Sequence, residues 1–174
     1  MQPDGSVQIT LPITFSGDAA TPANIATISN SIQSTFSGTF DGVKVSTQVV
    51  QGRVDGVSNT MAVTSGPATG GNNQGHSYVR NGTEGHVAMI DQNGRSINQP
   101  NGTQTTSAKG ALTGAHEGGH LMGLTDSNKP GPGIMDAGKG GAVTGRDVGT
   151  ITQRDTPSGA INSVTRCPSM DCPQ

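Results

Sequence analysis

Residues 7–15 alternate apolar and polar side chains, with Val7, Ile9, Leu11, Ile13 and Phe15 on one face. A period of two is that of a half-buried strand. Pro12 falls on the other face, where it is expected to point outward and to sit where no ladder partner needs an N–H. From residue 22 the period lengthens. Ile25, Ile28, Ile32 and Phe36 recur at steps of three and four, the stripe of an amphipathic helix. Thr21 is its N-cap, Pro22 its first residue and Gly38 its end. Residues 43–50 and 60–64 read as two further strands, 77–80 as a short edge strand turned by Asn81-Gly82, and 86–90 as another strand. The stretches 65–76 and 92–106 are polar, and the first is rich in glycine; both are expected to be loops.

A second helix is expected to begin near Thr106 or Ser107. Its buried stripe is Ala108, Ala111, Leu112, Ala115, Gly119 and Met122, with His116 and His120 at the border. Residues 127–133 read as a rigid, turn-rich link and 144–154 as a last helix. Thr144 and Asp147 form a box-like start for it, and Val148 and Ile151 face inward. Residues 155–174 read as a loose tail, and no internal repeat is present. The order predicts one α/β (α+β) domain over 1–174: an upper part to residue 123 with the sheet and the second helix, a lower part over 124–155, then the tail.

Composition constrains the core. The 174 residues include 27 glycines, no tryptophan, one tyrosine and three phenylalanines, and 30% are hydrophobic. A core of Val, Ile, Leu, Ala and Met will be thin, so a bound ligand can contribute much of the stability. The net charge is −2 with ten scattered Lys and Arg, which gives no basic patch for nucleic acid or an anionic membrane. No run is long and apolar enough to span a bilayer. The start, Met1 to Gly5, has no basic and then apolar segment of the secretory kind. Cys167 and Cys172 are equally compatible with a local disulfide and with two free thiols.

The chemistry concentrates in residues 116–126, His-Glu-Gly-Gly-His-Leu-Met-Gly-Leu-Thr-Asp. Histidines four apart on a helix stack on one face, and their ring nitrogens can share one metal ion. Glu117 can act as a base toward a water there. Gly123 suits a sharp helix stop. Asp126, three residues on, can complete a three-ligand site with one open position. Two solvated histidines on an exposed helix are the bland alternative. Against it, the chain has only two glutamates, Glu84 and Glu117, and four histidines, yet the stretch takes one of the former and two of the latter. The glycines at 110, 114, 118 and 119 each cost a helix about 1 kcal/mol relative to alanine. Either packing and metal offset that cost, or the glycines admit a neighbouring element.

This stretch resembles the signature of metzincin metallopeptidases in the variant that ends in Asp, and Gly133-Ile134-Met135-Asp136 looks like the family's methionine turn. The resemblance implies a mostly parallel twisted sheet, a backing helix, an active-site helix and a small lower subdomain. It also implies one catalytic zinc on His116, His120 and Asp126, Glu117 as general base, Met135 as an apolar floor and a peptide bond as substrate. Asp136-Ala137-Gly138 lacks the tyrosine that several subfamilies place after the turn methionine. His76 and His86 are expected to be structural or solvent-facing, and Tyr78 a packing aromatic or part of an edge strand that aligns substrate.

Gly5-Ser-Val-Gln-Ile-Thr10, Ala115–Leu124 and Gly133–Asp136 together are similar to predicted metallopeptidase toxin domains at the C-termini of bacterial RHS-type polymorphic toxins. That likeness implies a domain secreted or delivered within a larger exported protein, and a cognate immunity protein. The partner expected from the peptidase resemblance is a protein or peptide substrate, and the chain is expected to be a monomer. A zinc-holding binding module without catalysis, and a glycine-rich adhesion domain with an accidental motif, are the rival readings.

Overall fold

The computed structural model describes residues 5–66, 77–88, 108–130, 133–137, 142–153 and 163–165. Strand β1 (Val7–Ser16) is followed by helix α1 (Pro22–Thr35), the hairpin β2 (Gly38–Phe40) and β3 (Val43–Gln51), and β4 (Asn59–Thr64). The chain continues with β5 (Tyr78–Arg80), β6 (Glu84–Ala88), α2 (Ala108–Leu121), β7 (Ser127–Pro130), β8 (Asp136–Ala137), α3 (Gly145–Gln153) and β9 (Ser163–Thr165). The main sheet runs β2-β3-β1-β4-β6-β5, with β9 also paired to β1. The β3-β1-β4-β6 ladders are parallel, and β2, β5 and β9 are antiparallel additions. The expected mostly parallel mixed α/β sheet is therefore present.

One face of the sheet is apolar. Val7, Ile9, Leu11 and Ile13 of β1, Val45 of β3, Met61 and Val63 of β4 and Val87 of β6 join Ile28, Ile32, Phe36, Ala115 and Met122 in one buried cluster. Helices α1 and α2 lie against each other, α1 over β3 and α2 over β6 and β5. The other face is polar, with Lys44, Ser46, Gln48 and Thr60 exposed. This is the alternation that a sheet covered on one side requires.

Helix α1 starts as its sequence indicates: the Thr21 side chain accepts from the Asn24 N–H and Pro22 stands at the first turn. It is then pinned to β3, because Gln33 Oε1 accepts from the Val49 N–H and the Thr47 hydroxyl donates to the Phe36 carbonyl. The β2–β3 connection is the two-residue turn Asp41-Gly42, with φ of 49° and 82°. That pair of left-handed residues matches the twist of a tight hairpin.

Pro12 departs from expectation, being buried rather than outward-facing. On one side β1 pairs with β9 over Gln8–Thr10 and then with β4 from Ile13 onward. Pro12 occupies the gap between these partners, and its carbonyl accepts from the Asn59 side-chain amide at 3.0 Å. The link expected over 127–133 contains strand β7, which pairs with β8. Residues 163–165, read as part of a loose tail, return to the sheet as β9 beside the central strand.

Helix α3 begins one residue after Thr144. Asp147 Oδ2 accepts from both the N–H and the hydroxyl of Thr144, whose own oxygen accepts from the Asp147 N–H. This is the reciprocal capping anticipated from those two residues, with Asp doing the work of Glu. His76, the two long polar loops, the start of α2 before Ala108, and Cys167 and Cys172 lie outside the described residues.

Candidate metal centre

Two of the four α2 glycines answer the question their sequence raised. A methyl group on Gly118 would lie 2.7 Å from Ile32 Cγ1, and one on Gly114 would lie 3.3 Å from Ile28 Cγ2. The glycines one turn apart thus form a flat strip on which α1 rests, and the close approach of the two helices offsets their poor helix propensity. On another side of α2, a methyl group on Gly119 would lie 2.8 Å from Met135 Sδ. Met135, 4% exposed, packs against the helix one residue before His120.

The helix then stops within one turn. Gly123 adopts φ of 88°, its N–H bonds the His120 carbonyl at 2.8 Å, and the Leu124 N–H bonds the Gly119 carbonyl at 2.9 Å. These two bonds are the Schellman closure, for which glycine is suited because a Cβ would clash in the left-handed conformation. The reversal carries Asp126 back toward the histidines. The Ser127 N–H bonds the Met135 carbonyl at 2.7 Å, and the Ile134 N–H bonds the Ala142 carbonyl at 2.7 Å, so the returning loop and the methionine turn are tied together.

His116 Nδ1 lies 2.9 Å from the Ile134 carbonyl and His120 Nδ1 lies 2.9 Å from the Leu124 carbonyl. A carbonyl oxygen only accepts, so each Nδ1 carries the proton and donates it. In the neutral ring, each Nε2 then keeps its lone pair. His116 Nε2 is 3.3 Å from Asp126 Oδ1, and His120 Nε2 is 3.6 Å from the same oxygen. Donor atoms of all three residues lie within 4.8 Å of one another. Zinc bonds of about 2.0–2.2 Å in a tetrahedron put neighbouring donors about 3.3–3.6 Å apart. Two neutral imidazoles, a carboxylate and outer hydrogen bonds that fix both rings therefore fit such an ion. The rings meet edge to face, with centroids 4.7 Å apart. Burial grades across the cluster from the His116 side chain, 6% exposed, through His120 at 19% to Asp126 at 64%, so one side opens to solvent.

Glu117, beside His116 on α2, is 2% exposed. A carboxylate is rarely so buried unless another group answers its charge. The two carbonyls that orient the rings were not legible in the sequence, because any residue supplies one. The turn glycine and the methionine motif were the only hints of where the chain would come back.

His86 stands apart from this cluster. Its Nε2 lies 2.8 Å from the Thr64 hydroxyl, and its ring meets Tyr78 edge-on with centroids 5.1 Å apart. Burial pushes its pKa below the ordinary histidine value. Both residues belong to the polar face of the sheet, and Arg80 stands over the Tyr78 ring. Comparisons with family profiles, with curated proteins and with solved structures return no match.

Proposed function

We propose that the chain is a zinc-dependent endopeptidase whose centre is His116, His120 and Asp126, with Glu117 as the general base. The observation that carries this reading is the locking of both Nδ1–H groups onto backbone carbonyls, which leaves both Nε2 atoms converging on Asp126 Oδ1. Such outer hydrogen bonds accompany histidines that bind metal and raise their basicity as ligands. A zinc ion in this position supplies Lewis acidity to a water and to the substrate carbonyl. Glu117 takes the proton of the attacking water and delivers it to the leaving amine. The two histidines and Asp126 hold the ion, and Met135 and the Gly133–Asp136 turn close the apolar side of the loop that carries Asp126. Strand β5, the antiparallel edge of the sheet among the described residues, offers a ladder on which an extended peptide can align, and it holds Tyr78.

The exposed side of the cluster suits a protein or peptide substrate. The resemblance to toxin domains of exported bacterial proteins extends the reading to a delivered effector with an immunity partner. No described helix is long and apolar enough to cross a membrane.

The test is cleavage of an unfolded protein by the zinc-loaded chain, with Glu117→Gln alongside. Cleavage by the parent that falls by at least about a hundredfold in the variant supports the reading, since general-base catalysis is worth about 10²–10⁴. Equal cleavage by both would overturn it. Zinc binding without cleavage by either would favour a zinc-holding binding module.

A further inference from the structure

Between the loop that follows α2 and the start of α3 lies a cleft of about 450 Å³. Its walls include Asp126, Ser127, Met135, Thr144, Arg146 and Thr150. It shares Asp126 with the metal cluster, so an occupant of the cleft lies immediately beside whatever the cluster holds. Its volume falls in the range of small-molecule sites, about 300–1,000 Å³.

The charges around the cleft are unequally committed. Asp147 also borders it, but its Oδ2 already accepts two hydrogen bonds from Thr144. Asp126 faces the two histidines, and its charge is answered when the cluster holds a divalent cation. Arg146 is different. Among the described residues Arg53 donates to the Gly56 carbonyl and Arg80 stands over Tyr78, whereas the Arg146 guanidinium has no hydrogen-bond or ion-pair partner. It projects from the first turn of a capped helix, one turn before Thr150 on the same face. An exposed, uncommitted guanidinium in a groove with an apolar wall at Leu124 and Met135 is a fork-shaped receptor for a carboxylate.

We propose that this cleft holds the substrate side chain next to the cleaved bond and that Arg146 makes it selective for Asp or Glu. The inference rests on the peptidase reading of the cluster and adds a substrate class to it. The acidic side chain enters with its methylenes along Met135 and its carboxylate on the guanidinium. The Thr144 and Thr150 hydroxyls are already donated, to Asp147 Oδ2 and to the Arg146 carbonyl, so the guanidinium is the group left to bind the carboxylate. Bound metal is part of the selectivity, because without it Asp126 would repel an anion at the mouth of the cleft.

Two measurements test this separately from catalysis. In the first, a peptide library is digested by the zinc-loaded chain and the cut sites are read by mass spectrometry. Acidic residues are expected to be enriched at one position flanking the cut, to lose that enrichment in Arg146→Ala, and to give way to basic residues in Arg146→Glu. In the second, zinc-loaded Glu117→Gln is titrated with alanine-rich hexapeptides carrying one Glu or one Gln, followed by fluorescence anisotropy. The Glu peptide is expected to bind about five- to tenfold more tightly, a preference that salt weakens and Arg146→Ala removes. An unchanged cut pattern in Arg146→Glu, or equal binding of the two peptides, overturns the inference even if the chain is a peptidase. If nothing is cut but the Glu peptide is still preferred through Arg146, the subsite stands and the peptidase reading falls.

Discussion

An alanine at position 118 would favour an isolated helix by about 1 kcal/mol over the native glycine. In the folded chain the same methyl group would meet Ile32 at 2.7 Å. The packing term is the larger, because forcing a methyl into a filled contact costs about 1–3 kcal/mol. Gly118→Ala is therefore expected to lower the stability to chemical unfolding, and a variant more stable than the parent would remove the close-approach account of α2. His116, His120 and Asp126 were legible in the sequence because a helix period and a glycine stop dictate where their side chains go. The carbonyls of Ile134 and Leu124, which fix the histidine rings, carry no residue identity. The burial of Pro12 was hidden because it depends on two partners, β9 and β4, meeting beside one strand.

At the scale of elements, the strands and helices with a strong period appear where the pattern put them, with ends moved by one or two residues. Of the short ones, Tyr78–Arg80 falls within the edge strand read over 77–80, whereas β2, β7, β8 and β9 do not show in the pattern. Gly38–Phe40 is too brief for a period, although Asp41-Gly42 is a hairpin signal in its own right. Ser127–Pro130 forms β7 despite its proline, because a two-stranded sheet has only edge strands and the β7–β8 pairing shifts register before Pro130. Helix α3 shows how local chemistry positions one wall of the proposed subsite. Its capping bonds between Thr144 and Asp147 set the direction in which Arg146 leaves the helix. A methyl group on Gly145 would collide with the Asp41 carboxylate, so the β2–β3 turn rests on the first turn of α3. Replacing Thr144 by Ala is expected to cost about 1 kcal/mol in urea unfolding, the usual value of an N-cap side chain. No loss of stability would mean that the cap is replaceable by solvent.

At the scale of the whole molecule, the described residues form a sheet covered on one face by α1 and α2, with Val148 and Ile151 of α3 joining the same core. The cluster of His116, His120 and Asp126 sits where the second helix ends and the chain turns back. With few aromatic side chains, the core relies on Ile, Leu, Val and Met. The loop that carries Asp126 is held by the methionine turn and by the two histidine–carbonyl bonds, so a metal ion at the cluster ties α2 to the lower part of the chain and should stabilise both. The claim on which the catalytic and subsite readings both depend is that these three side chains hold one ion. It is tested most directly by the zinc content and zinc affinity of the purified chain, with Asp126→Ala and His120→Ala in parallel. One zinc per chain is expected, with affinity at least about tenfold weaker in each variant and a chelator-induced fall in melting temperature confined to the parent. A parent that takes up no zinc, or variants that bind it as tightly as the parent, would contradict the account.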